Sequence, residues 1–343
     1  MINQNIIFKK IEAQALKDNN IYIVCGDGLD IAFFPELKKR APERVIACGI
    51  SEQNQISVSN GIALGGKKVY CLMMNAFLVH RALDQLKMAC YSNADIKFLG
   101  FTPGIVPMAG GYSHISIDDF AILKNTPNLE IYEPYTKEEI ENVVQKTFQY
   151  NTPMYISCVL ESIDYLNQRP LRKNVGFSKL ISGSKDLCII SSGDAITYLF
   201  NNYDKIIQKI TNKCCLPTCY SVYKINPIDN ASMMRILSKY KNIMTFECRG
   251  AGGLSQSIAE AIASQNKKVK LLPIYFKNEK YNFVGYGDYA VRKCLKISEL
   301  DKLVKSYFGI KKFKLFKPKC KQNENGIIIK HKFCGFTYKK EYV

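Results

Sequence analysis

Glu52 has the placement of a carboxylate with chemistry to do. A short apolar run, Arg44 to Cys48, reads as a buried strand and breaks at Gly49, and a helix-like segment opens with Ser51 and Glu52. No basic residue occurs in the six positions after Glu52, and Ile56 and Asn60 lie one and two turns further along its face. A half-buried side chain is expected. Burial favours the protonated form of a carboxyl, which suits a group that donates or shares a proton. The competing reading is a glutamate that only complements the dipole at a helix N-terminus. His114 is the second candidate. It follows the loop PGIVPMAGGYSH, whose glycines let backbone approach a ligand, and it precedes a helix that opens with Asp118 and Asp119. His80 sits within a helix and serves packing as readily as chemistry, while His331 lies in a basic tail.

Three motifs imitate phosphate or metal sites. Gly61 to Lys67 fits G-x-x-x-x-G-K, but Lys68 replaces the Ser or Thr that a phosphate loop requires, and the segment leaves a helix. Arg249-Gly-Ala-Gly-Gly lies between a strand and a helix, where amides could hold an anion. It lacks the full G-x-G-x-x-G, so close strand–helix packing is the expectation. Gly26-Asp27-Gly28 with Asn54 resembles a divalent-metal and diphosphate pair, yet Asn54 falls a helical turn too late. Cys214, Cys215 and Cys219 lack paired C-x-x-C spacing and have no nearby His, so zinc is not expected. No metal ligands are assigned to this chain.

The scaffold has room for such a site, since 343 residues suffice for two domains, each with its own core. No N-terminal signal segment is expected, and no run reaches the ~18 apolar residues of a membrane span. The longest, Val69 to Val79, carries Asn75. Thirteen cysteines, several inside apolar strand-like runs, fit small buried hydrophobes in a reducing compartment, and the protein is expected to be cytoplasmic. The net charge of +18 is uneven: residues 301–343 carry twelve Lys and three acidic residues, half of the total. That pattern suits a solvated tail or a docking surface for an acidic partner. Without an accompanying recognition motif, nucleic-acid binding is not expected.

Strand-like runs IYIVC, VIACG, KKVYCLMM, IKFLGF, LEIYEP and MYISCV alternate with helical segments, one of them AFLVHRALDQLKMACY. The alternation implies an α/β fold with mostly parallel sheets flanked by helices, whose sites lie beyond the carboxyl ends of the strands. Asp27, Glu52 and the 102–114 loop fall on that edge. The expected plan is a first domain over 1–165, a linker over 166–182, a second α/β domain over 183–300, and a basic extension over 301–343 with a hairpin around Cys334-Gly335.

GISEQNQISVSNGIAL, AFLVHRALDQLK, GGYSHISIDDFAILKNTPNLEIYEP and PMYIS together resemble the pyrimidine-binding domain of transketolase-like thiamine diphosphate enzymes. SSGDA, SVYKINPID and ECRGAGGLSQSIAEAI resemble their C-terminal domain. The likeness spans roughly residues 5–300, and the family's diphosphate- and magnesium-binding domain has no counterpart here. The resemblance therefore implies the C-terminal subunit of a split transketolase. A partner chain would supply most of the site for thiamine diphosphate and Mg2+, in an α2β2 assembly with self-association, and the substrate would be a sugar or small carbonyl compound.

Carried over by residue, Glu52 matches the acid that hydrogen-bonds N1′ of the aminopyrimidine and shares its proton. Phe77 matches the aromatic that stacks on that ring. Its spacing to Arg81, also counted among the cofactor-binding residues, is one longer than in 1-deoxyxylulose-5-phosphate synthase. Asp27 matches an acidic residue near the thiazolium, and His114 matches a His that contacts the donor sugar. The chain departs from the family at Gly110, where relatives place a polar group, and at CVLES, where they often place a phosphate-gripping Arg. Three alternatives stay open: acyl transfer of the synthase type, a β subunit of a 2-oxo-acid dehydrogenase, and a non-catalytic scaffold acting through the basic tail.

Overall fold

Strands buried on both faces need near-continuous apolar sequence, and IYIVC and MYISC supply it. The computed structural model describes residues 3–26, 29–105, 107, 110–159, 173–174, 176–201, 217–265, 268–277, 291, 295, 300–309, 321–323, 326–333 and 336–340. Its first half runs α1 (Asn3–Ala15), β1 (Ile21–Cys25), α2 (Leu29–Phe33), α3 (Pro35–Arg40), β2 (Val45–Ala47), α4 (Glu52–Leu64) and β3 (Lys68–Met74). It continues through α5 (Leu83–Tyr91), β4 (Ile96–Phe101), α6 (Asp119–Leu123), β5 (Glu130–Tyr132), α7 (Lys137–Gln149) and β6 (Met154–Cys158). A capping box starts α7: Thr136 Oγ1 accepts from the Glu139 amide, and the Glu139 carboxylate accepts from the Thr136 amide.

The second half contains β7 (Lys173–Asn174), β8 (Phe177–Ile181), β9 (Ser184–Ser191), α8 (Asp194–Asn201), β10 (Pro217–Val222) and β11 (Lys224–Asn226). After these come α9 (Asn230–Lys239), β12 (Asn242–Gly250), α10 (Leu254–Ser264), β13 (Lys270–Phe276) and α11 (Leu300–Phe308). Last are β14 (Lys321–Asn323), β15 (Gly326–Phe333) and β16 (Phe336–Lys340), with β15 antiparallel to both neighbours.

Two α/β sheets result. The first has the order β11-β5-β6-β4-β3-β1-β2 and is parallel except where β11 runs against β5. The second has the order β13-β12-β9-β10-β8-β7, parallel from β13 to β10 and antiparallel beyond.

Two features differ from the sequence expectation. Part of the stretch expected as a linker, 166–182, is sheet: β7 and β8 pair beside β10. Short polar strands at a sheet edge carry too little apolar text to be recognised alone. The second half also lends β11 to the first sheet. The two units share a buried layer, in which Val24, Cys71 and Phe98 of the first join Cys188, Val222 and Ile243 of the second. Among the described residues no helix is long and apolar enough to cross a membrane.

Candidate active site

In the first sheet β1 lies between β2 and β3, so the chain reverses its direction of sheet growth there. A crevice at the carboxyl ends of the strands follows from that order. Glu52 begins α4 immediately after the β2 loop. Gln55, on the buried face of the same helix, ties α4 down by donating to the Leu72 carbonyl at 2.8 Å and the Val24 carbonyl at 3.3 Å. Ile56 is buried and Asn60 half-buried beneath Glu52. The Glu52 side chain is 16 % exposed, and its Oε1 accepts a 2.7 Å hydrogen bond from Arg81 Nη1.

Phe77 and Arg81 lie in a π-helical turn, Phe77–Arg81, where one continuous α-helix was expected. The Ala82 amide donates to the Phe77 carbonyl, five residues back, at 3.3 Å. A π-turn absorbs one extra residue without breaking the helix, which accounts for the longer Phe77–Arg81 spacing. Both side chains stay on the same side, and the Arg81 guanidinium carbon lies 3.9 Å from the Phe77 ring centroid.

His114 arrives from the loop after β4, in a short 3-10 turn, Tyr112–His114. Its ring meets Phe77 edge-on, with centroids 5.2 Å apart and planes at 67°, and Nδ1 lies 2.9 Å from Ser113 Oγ. Gly110 explains how the imidazole fits: a Cβ there would come within 2.7 Å of His114 Cγ. The position where relatives carry a polar side chain is here occupied by the His114 ring. Next to this group, His80 Nε2 pairs with Asp118 Oδ1 at 2.8 Å. The hydrogen bond from His80 holds the Asp118 carboxyl below its usual range, and the same bond raises the His80 imidazole.

Glu52, Arg81, Phe77 and His114 therefore form one contiguous group drawn from the ends of three strands. Asp27 lies outside the described residues. Asn54 is exposed on α4, away from the crevice floor where Gln55 is buried. Among the described residues no cluster of three or more His, Cys, Asp or Glu could hold a metal.

Beneath the site runs a buried polar network that no sequence motif marks. Asn75, between β3 and Phe77, donates to Ser116 Oγ at 2.7 Å and Asp119 Oδ2 at 2.8 Å, and the Tyr155 hydroxyl bonds Asn75 Oδ1. Arg249, from β12 of the second unit, completes it: Nε donates to Asp119 Oδ1 at 2.7 Å, and Nη2 donates to Glu133 Oε1 at 2.7 Å and Ser157 Oγ at 3.0 Å. The one signal for Asn75 is its position as the lone polar amide in Val69–Val79. The anion seat considered near Arg249 is filled internally, because the buried Glu247 carboxylate accepts from the Leu254 and Ser255 amides at 2.8 and 3.0 Å.

Comparison with known proteins agrees with this geometry. The family described as "Transketolase, pyrimidine binding domain" matches residues 5–159. One of the two chains of the apulose-4-phosphate transketolase of Phocaeicola vulgatus is 25% identical over 281 residues, covering 80% of this chain and 89% of its own. A 6-deoxy-6-sulfo-D-fructose transketolase subunit of a Clostridium species is 24% identical, covering 81% and 85%. A solved "split gene transketolase, inactive beta4 tetramer" superposes with a TM-score of 0.74 at 19% identity, over 91% of this chain and 99% of that one, and thus shares its fold.

Proposed function

We propose that this chain, whose residues 5–159 are a pyrimidine-binding domain of the transketolase family, is one subunit of a two-subunit thiamine diphosphate-dependent transferase. Its reaction would pass a two-carbon ketol unit to a carbonyl acceptor. The relatives named as transketolase subunits support this reading, and they match this chain along most of its length. The partner chain would carry the Mg2+ and diphosphate site, with an α2β2 assembly as the expected form. Ile50, 77 % exposed, and Tyr112, 52 % exposed, are large apolar side chains close in sequence to Glu52 and His114, as expected of a rim that a second chain covers.

The observation that carries the proposal is the pairing of a half-buried carboxylate with a stacked aromatic. The residues present fit an aminopyrimidine, because a flat cation with an N–C–N edge already rests on Phe77 and pairs with Glu52. Glu52 would hold and share a proton at the ring nitrogen N1′, Phe77 would stack on the ring, and His114 would face the donor or acceptor. Thiamine diphosphate, when bound, supplies the carbon nucleophile of the family's chemistry. A positioned acid–base group contributes on the order of 10²–10⁴-fold.

Glu52→Gln, assayed with the partner chain, should lower turnover by about that factor while the circular dichroism spectrum stays unchanged. Full turnover in the variant would refute the role of Glu52. Robust activity of the wild-type chain alone would refute the two-subunit reading.

A further inference from the structure

Arg81 sits on the two groups assigned above to the aminopyrimidine. Its guanidinium carbon is 3.9 Å from the Phe77 ring centroid, and its Nη1 is 2.7 Å from Glu52 Oε1. A ring that stacks on Phe77 and also reaches Glu52 must use the ring face turned toward Glu52. That is the face the guanidinium covers. The two occupants therefore exclude one another.

The resemblance between them is chemical as well as spatial. A guanidinium is planar, delocalised and cationic, and it presents an N–C–N edge of donors to a carboxylate while its face lies on an aromatic ring. An aminopyrimidine protonated at its ring nitrogen offers the same flat shape, edge and charge. Helical side chains lean back over the preceding turn, and the π-turn from Phe77 to Arg81 places the stem of Arg81 so that its head returns over the ring. Arg81 is 47 % exposed, so water is available to solvate it once it leaves.

We propose that Arg81 is a displaceable internal occupant of the aminopyrimidine seat, which keeps Glu52 paired until the ring enters and then swings outward. This inference rests on the function proposed above, and it assigns Arg81 the role of competitor in place of the cofactor-holding role expected from sequence. A seat that is open only part of the time lowers the apparent affinity of its ligand by the open fraction. Removing an exposed ion pair and a cation–π contact should raise that affinity about 3- to 30-fold.

The test is titration of the full-length chain with thiamine, followed by the NMR signals of its aromatic proton, for wild type and Arg81→Ala. Circular dichroism verifies that both are folded. The expected result is tighter binding by Arg81→Ala, with low-millimolar methylguanidinium competing for the vacated seat more strongly in the variant than in wild type. Equal or weaker thiamine binding by Arg81→Ala would overturn the competitor role and leave the proposed function standing. Absence of thiamine binding to both proteins would overturn the aminopyrimidine seat itself, and this inference with it.

Discussion

Arg249 Nε donates to Asp119 Oδ1 at 2.7 Å across the junction of the two units, with the side chains 2 % and 0 % exposed. The same guanidinium reaches Glu133 Oε1 at 2.7 Å. One planar fork thus serves two buried carboxylates, a geometry that Arg satisfies and Lys does not. Gly104 makes room for it: a Cβ there would stand 2.6 Å from Arg249 Nη1. Ser116 and Asp119, which follow His114, and Asn75, which precedes Phe77, belong to the same network. The second unit therefore helps to set where His114 and Phe77 stand.

Arg249→Met should destabilise the protein by about 3–5 kcal/mol, because it leaves two carboxylates buried without a countercharge. Arg249→Lys should recover only part of this, since one ammonium cannot reproduce both forks. Urea unfolding of the three proteins measures the effect. A loss below about 1 kcal/mol for Arg249→Met would show that the junction does not depend on this pair.

Gly110→Ala should act on the site and spare the fold. The added Cβ would press on the His114 ring, which must shift by a fraction of an ångström or turn. Misplacing a substrate-facing group by about 1 Å can cost on the order of 10²-fold in rate. The expected outcome is a fall in turnover with the partner chain and a displaced His114 resonance, while the melting temperature stays near that of wild type. An unchanged His114 resonance would show that the ring does not need the space.

His80 should titrate above the ordinary imidazole value of about 6.5, and Asp118→Asn should bring it back down. The direction follows from the 2.8 Å contact, which raises His80 and lowers Asp118. Stabilisation from His80 is complete below about pH 6.5 and is lost as pH rises through its raised value. Stabilisation from Asp118 is complete above about pH 3.9 and is lost as pH falls through its lowered value. The pair is strongest between those limits. Both groups are more than a third exposed, so the energy is small, and the NMR titration is the better readout. With only three histidines in the chain, His80 can be assigned by substitution. A His80 titration unaffected by Asp118→Asn would exclude the coupling.

The sequence alone determined the layered α/β plan, because apolar period and strand–helix alternation are local properties of the text. It also determined that Glu52, Phe77 and His114 follow successive strands, which in a parallel sheet places them at one edge. Tertiary structure decided their partners. Glu52 looked isolated because no base follows within six residues, yet Arg81 reaches it from 29 residues away, after a π-turn that absorbs one extra residue. Arg249 read as part of a glycine-rich loop, but the path of β12 carries it into a junction with Asp119, 130 positions earlier in the chain. The edge strands β7, β8 and β11 were illegible for a related reason: their pairing is fixed by neighbours that the chain brings alongside, and their own few residues carry too little burial to announce it.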